Sequence, residues 1–176
     1  MTLRILQTAL FWAAVAVPPQ LAPLRAPDVK FVPSPQSVVD AMLQLAQVTS
    51  GDVVYDLGSG DGRIPITAAQ TYGARGVGIE IDPLLVRQAN DRLAKSGVAD
   101  RVRFVNQDLF DADLRDATVV AMYLLPRIMT QVLPKLRREL RPGTRIVSNQ
   151  FEFGDEWPPD RSQDVDGIPI HLWVVR

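Results

Sequence analysis

The sequence predicts an α/β domain: a largely parallel sheet covered by helices on both faces. Three observations carry that expectation. From Pro35 to the C-terminus, short apolar runs alternate with amphipathic segments of helical period, the pattern of strands joined by helical crossovers. The connections are short and no internal repeat interrupts them. A glycine-rich turn, Gly58-Ser59-Gly60-Asp61-Gly62, joins the first apolar run to the next helical segment. Sheets of this kind take ligands beyond the carboxyl ends of their strands, which is where this turn falls.

The elements follow in order. "PQSVVDAMLQLAQV" sets Val38, Val39, Met42, Leu45 and Ala46 at helical spacing, with proline near its start. "DVVYDL" is a short apolar run, hence a buried strand. "IPITAAQTY" reads as a helix that tolerates Pro65 in its first turn and ends at Gly73. "RGVGIEI" is the second strand. "DPLLVRQANDRLAKSG" is a helix with Asp82 as N-cap, Pro83 at the first helical position, apolar Leu85, Val86, Ala89 and Leu93, and Gly97 as its stop. "RVRFVNQD" and "ATVVAMYLL" are the third and fourth strands. "RIMTQVLPKLRREL" is a helix that Pro134 is expected to kink or divide. "GTRIVSNQFEF" is the fifth strand and "IHLWVVR" the last.

Residues 1–30 stand apart from the domain at 31–176. An apolar run from Ile5 to Val17 is broken only by Gln7 and Thr8, and the stretch 18–35 is proline-rich and reads as a linker. About 13 residues is short of the roughly 20 that span a bilayer. Three readings stay open: a cleaved signal or transit segment, for which Ala14-Val15-Ala16 resembles a cleavage site, a membrane anchor, and a packed leader.

Composition narrows the chemistry. A formal net charge of −1 provides no general basic field for nucleic acid. Cysteine is absent, so disulfides, Cys-ligated zinc and a thiol nucleophile are excluded. His171 is the single histidine, so no metal site is expected. It is read as structural or surface, and Trp173 as core. The basic run 135–140 is read as a solvated helix face.

The glycine turn then has to be matched to a ligand. A tight turn with no ligand is the plain alternative. A dinucleotide fingerprint is G-x-G-x-x-G. Here the third glycine comes one place early, and Asp61 would repel a pyrophosphate. No Gly-Lys-Ser/Thr follows, which excludes a phosphate-binding P-loop. The acidic loop suits a cation instead: Asp56 and Asp61 for an ammonium and a sulfonium. Glu80 ends the second strand, placed like the acid that chelates a ribose diol. Asp108 ends the third strand, placed to accept from an adenine amino group. Ammonium, ribose and adenine in that order describe S-adenosylmethionine.

"VVYDLGSGDGR", "GVGIEIDP" and "RVRFVNQDLF" together resemble the class I S-adenosylmethionine-dependent methyltransferases. "FVPSP", "DLFDADLRDATVVAMYLLP", "PKLRRELRPGTRIVSNQFEF" and "WPPD" resemble a narrower group within them. These are the small protein-lysine methyltransferases that include a broad-specificity crenarchaeal enzyme and the mitochondrial enzyme acting on the ATP synthase c-subunit. The likeness covers about residues 29–176. It implies a Rossmann-like, seven-stranded, mostly parallel sheet with its last strand antiparallel. It also implies cofactor contacts from Asp56, Gly58, Ser59, Gly60, Asp61, Gly62, Glu80, Ile81 and Asp108. Val32-Pro33-Ser34-Pro35 is implied to lie over the cofactor at the substrate entrance. Asn149 stands where archaeal relatives carry a histidine, which weakens any expectation of a side-chain base.

The chemistry expected is methyl transfer to a protein lysine amine, in which positioning supplies much of the rate. Tyr123 ends the fourth strand and is the candidate to hold the amine by its hydroxyl or ring face; a half-buried strand-end tyrosine is the plain alternative. Phe31, Val32, Pro33, Ser34, Asn149, Phe151, Phe153 and Trp157 are the candidate walls of a lysine channel. A small-molecule methyltransferase and a non-catalytic cofactor-binding module are the competing readings. Nucleic acid is not expected, because "YLLP" lacks the Asn/Asp-Pro-Pro-aromatic signature of base-directed enzymes. Membrane association through residues 5–17 is expected to leave the domain on a side supplied with cofactor.

Overall fold

The structure, a computed structural model, describes residues 24–28 and 30–176. Expectations for residues 5–17 lie outside the described residues. Helix α1 (Gln36–Leu45) leads into β1 (Val53–Leu57), α2 (Arg63–Tyr72), β2 (Arg75–Glu80), α3 (Pro83–Ala94) and β3 (Val102–Asn106). Then come β4 (Val119–Met122), α4 (Pro126–Glu139), β5 (Arg145–Asn149), β6 (Arg161–Val165) and β7 (Ile168–Val174). The sheet has seven strands in the order β3-β2-β1-β4-β5-β7-β6. Pairing is parallel from β3 through β5; β7 runs antiparallel to both β5 and β6.

Side-chain alternation along the strands sorts the core into two faces. Val54, Val119, Ala121 and Val147 point toward α1, which buries Val38, Val39, Met42 and Leu43 against them. Tyr55, Val120, Met122 and Ile146 point the other way, toward Ile128, Met129, Val132 and Leu136 of α4. Helices α2 and α3 close over β2 and β3 through Ile66, Ala69, Leu93 and Val102. Each of the Val, Leu, Ile and Met side chains among these contributes about 2 kcal/mol by leaving water. At the amino ends of the strands, Asp52 accepts from Thr49 N at 2.7 Å and Thr118 Oγ1 at 2.7 Å, and pairs with Arg145. That cluster ties β1 to the starts of β4 and β5.

Local sequence explains most boundaries. Asp82 caps α3 by accepting from Leu84 N at 2.8 Å, with Pro83 following. Pro134 does not divide α4. It sits on the exposed face, and the carbonyl it leaves without a partner belongs to exposed Thr130, where water can serve. The apolar side of α4 holds the helix together across that gap. The strand β6, "RSQDV", is an almost wholly exposed edge. Strand β5 stops at Asn149 rather than running on to Phe153, because Gln150 has a φ of 69°.

Because β2 lies on one side of β1 and β4 on the other, the chain reverses direction across the sheet between them. That switch point opens a crevice above the carboxyl ends of β1 and β4.

Candidate functional site

A cavity of about 610 Å³ fills that crevice, within the usual range for small-molecule sites. Its floor is the turn after β1. Gly58 N and Ser59 N both donate to Ile79 O, at 2.9 and 3.0 Å, so the turn is pinned onto β2. Gly60 N donates to Glu80 Oε2 at 2.8 Å, and Asp82 N donates to Glu80 Oε1 at 2.9 Å. Glu80 therefore locks the turn to the start of α3 with one carboxylate. Asn106 Nδ2 donates to the carbonyls of Glu80 and Ile81 at 3.0 and 2.9 Å, which fixes the end of β2.

The four expected acids gather around this space, in different electrostatic states. Asp56 is 3% exposed and has no hydrogen-bond or ionic partner among the described residues. Burial, with Glu80 and Asp61 adding their charges, pushes its carboxyl well above the usual carboxylate range. Asp61 differs. Arg63 Nη2 and Arg92 Nη2 lie 2.6 and 2.7 Å from its Oδ2. Burial alone would raise it, but the Arg63 hydrogen bonds and the two guanidinium charges overcome that and lower it. The uncompensated charge expected on Asp61 is already matched. Asp108 is likewise opposed by burial yet lowered, through Arg25 and the Phe110 N–H. Arg25 also bonds Asp28 at 2.6 Å, so residues 25–28 cross the Asp108 end of the cavity. Sequence could not foresee that link, which joins residues 83 positions apart.

The glycines divide in role. Gly58 and Ser59 line the cavity directly. Gly60 does not: a Cβ there would lie 2.2 Å from the Phe31 ring, so the missing side chain is filled by Phe31. Gly62 is covered by Phe104 in the same way, at 2.3 Å. Both act by shaping the turn.

The segment 31–34 forms one wall. It is held from both ends of Ser34: Arg63 Nη1 donates to its carbonyl at 2.6 Å, and Asn149 Nδ2 donates to its Oγ at 2.8 Å. Asn149 therefore sits behind Ser34, 1% exposed, and is not on the cavity wall. Trp157 is not there either; it stacks on Phe153 at 5.5 Å, and Phe153 meets Trp173 edge-on at 4.8 Å. Trp173 of β7 and Phe153 are buried, Trp157 is half-buried against Phe153, and none of the three lines the cavity. His171 bonds Ser162 Oγ at 2.9 Å through Nδ1, a structural contact between β7 and β6. The opposite wall is Tyr123 and Phe151, with rings 6.2 Å apart and 19° from parallel. Gln150, which the strand pattern concealed, completes it. Val32 and Leu125 are exposed members of the wall and mark the mouth.

The donor set fits S-adenosylmethionine. The unpartnered acid at Asp56 and the matched acids along β2 and β3 offer acceptors to an ammonium, a diol and an amino group. The hydroxyl of Ser59, buried without a partner on the cavity floor, offers one more. A solved structure of similar sequence agrees. This chain is 53% identical to an RNA methyltransferase from Salinibacter ruber crystallised with S-adenosyl-L-homocysteine, over 82% of this chain and 94% of that one, with a TM-score of 0.80. The fold and site define a class I S-adenosylmethionine-dependent methyltransferase.

Among curated proteins, the chain is 46% identical to a protein-lysine N-methyltransferase of Saccharolobus islandicus (strain REY15A), over 85% of this chain and 95% of that protein. It is 34% identical to the human lysine N-methyltransferase of the ATP synthase c-subunit, over 84% of this chain but 62% of the human one. The sequence model of the ANTKMT methyltransferase domain matches residues 56–161, and the chain belongs to that family.

Proposed function

We propose that this chain methylates the side-chain amine of lysine in a protein substrate. The observation that carries the reading is the wall opposite segment 31–34: Tyr123 and Phe151 stand side by side, next to an apolar mouth. A flat apolar slot of that kind suits the butyl stem of lysine. The 46% identity to a protein-lysine N-methyltransferase across nearly that protein's whole length supports it.

In this reading Asp56 would hold the cofactor's ammonium, Glu80 its ribose hydroxyls and Asp108 its adenine amino group. Ser59, Gly58 and Ile81 shape the floor beneath it, with Asp61, Gly60 and Gly62 fixing the turn. When bound, S-adenosylmethionine supplies a methyl carbon on a sulfonium, which accepts the amine's lone pair as the carbon–sulfur bond breaks toward sulfur. Phe31, Val32, Pro33 and Ser34 exclude water on one side of the amine, and Tyr123 and Phe151 on the other. A lysine taken out of water into that slot loses its proton more readily, so no dedicated base is required. Tyr123 orients the amine rather than deprotonating it. The apolar segment 5–17 would hold the domain beside a membrane; a fully soluble pool of the full-length chain on fractionation removes that part of the reading.

RNA is the second reading, because the Salinibacter ruber protein is named an RNA methyltransferase. The net charge of −1 weighs against it. The test is incubation of the purified chain with methyl-labelled cofactor and a cell lysate. Label on protein that disappears when lysines are blocked beforehand is the expected result. Label that is released by ribonuclease and unaffected by lysine blocking favours RNA.

A further inference from the structure

Three non-glycine residues among those described have positive φ: Gln47 at 51°, Gln150 at 69° and Asp166 at 54°. Two are ordinary. Gln47 follows the end of α1, and Asp166 precedes Gly167 in the tight turn between β6 and β7. Gln150 lies in neither setting. Phe151 N donates to Asn149 O at 2.8 Å, which makes Gln150 the centre of a three-residue γ-turn, and Gln150 N donates to Pro169 O at 2.7 Å. Glycine would relieve the left-handed backbone here, yet a long polar side chain occupies it. Strain of this kind concentrates at functional sites, and Gln150 lines the cavity.

The turn aims the side chain at one target. Tyr123 Oη donates to Gln150 Oε1 at 3.0 Å. With that bond made, the hydroxyl proton points to Gln150 and the lone pairs of the oxygen are left to the cavity. An amine about to attack must keep its lone pair free for the carbon and lodge its N–H groups on acceptors. A free-spinning phenol would instead donate to that lone pair and quench the nucleophile.

We propose that Gln150 is a positioning residue for the methyl-accepting amine, acting by holding the Tyr123 hydroxyl as an acceptor; this rests on the lysine reading above. Gln150→Gly removes the side chain and relaxes the backbone. It is expected to keep or raise Tm by a few degrees and to leave S-adenosyl-L-homocysteine affinity within about twofold. The initial rate of Nε-methyllysine formation on lysate protein is expected to fall about tenfold or more. Gln150→Glu keeps an acceptor but adds a charge that favours the ammonium form. It should recover the rate only at higher pH than the wild type. In a Tyr123→Phe background, Gln150→Gly should cost less than about twofold further, because both changes act on one hydroxyl. Gln47→Gly, away from the site, should leave the rate unchanged. A Gln150→Gly protein that methylates lysine at the wild-type rate overturns the inference. So does full additivity with Tyr123→Phe, or a Gln150→Glu rate profile unmoved in pH. If Gln150→Gly folds poorly, the Gln150→Glu profile decides alone. A wild-type chain that forms no Nε-methyllysine overturns the lysine reading itself, and the inference with it.

Discussion

Glu80→Gln is the sharpest probe of how the cofactor floor is built. The carboxylate is 7% exposed and accepts two backbone N–H groups, from Gly60 at 2.8 Å and from Asp82 at 2.9 Å. A hydrogen bond to a charged group contributes about 1.5–3 kcal/mol, and a neutral one about 1 kcal/mol. An amide keeps one carbonyl oxygen and must turn its NH2 toward the other N–H. One bond is lost and the survivor is weakened, for a total of about 3 kcal/mol. The fold does not show all of that, because losing the Glu80 charge also relieves Asp56, which it opposes. Binding is expected to have no such relief, since the turn and the proposed ribose acceptor fail together. Calorimetric titration with S-adenosyl-L-homocysteine should show affinity down by about 30-fold or more, equivalent to about 2 kcal/mol. Urea denaturation without ligand should show a loss of about 1 kcal/mol. An affinity within threefold of wild type, with stability unchanged, would refute the claim that this carboxylate organises the turn.

Other changes should separate site from scaffold. Asp56→Asn should stabilise the ligand-free chain at neutral pH while weakening cofactor binding at least about tenfold, a trade-off expected where a buried charge exists for a ligand; thermal melts and titration check the two signs. The pH dependence follows. Asp56 has a raised folded-state pKa, so its share of stability is full below about pH 4 and is lost as pH rises through the folded value. Asp52 is the opposite case: burial works against it, but Thr118, Thr49 and Arg145 hold its carboxyl below the usual range. Its contribution is present above about pH 4 and is lost as pH falls through the folded value. Asp52→Asn should cost about 2–3 kcal/mol near pH 7 and flatten the acid limb of urea-measured stability. Gly60→Ala adds a Cβ 2.2 Å from Phe31 at a φ of 53°. It should destabilise by about 1–3 kcal/mol and loosen the 31–34 wall, read as faster proteolysis near Phe31.

What the sequence made legible depended on how locally each feature is determined. Asp82-Pro83 announces the start of α3 by itself, because cap and first-turn chemistry need only adjacent residues. Apolar runs announce β1 and β4 because both faces are buried. The edge strand β6 is nearly all exposed and polar, so no alternation marks it. Gln150 interrupts an apolar stretch that reads as continuous strand; only its φ reveals the turn. Asp56, Glu80 and Asp108 were readable as strand-end acids, but their charge states were not. Asp61 is answered by Arg92, 31 residues away, and Asp108 by Arg25 from before the domain. Those partners meet only once the sheet exists. The same holds for Asn149 and Trp157, whose positions near the site in sequence gave no sign that the first would bond Ser34 from behind and the second would stack on Phe153.

The central claim is that the crevice delivers a methyl group to nitrogen on a lysine side chain. Its most direct test uses deuterated-methyl cofactor, the purified full-length chain and lysate protein, followed by complete acid hydrolysis and mass spectrometry of the amino acids. Deuterated Nε-methyllysine is expected with the wild type and is expected to fall sharply with the Glu80→Gln protein at limiting cofactor. Lysine that stays unlabelled throughout, while other amino acids or none at all carry the deuterium, would contradict it.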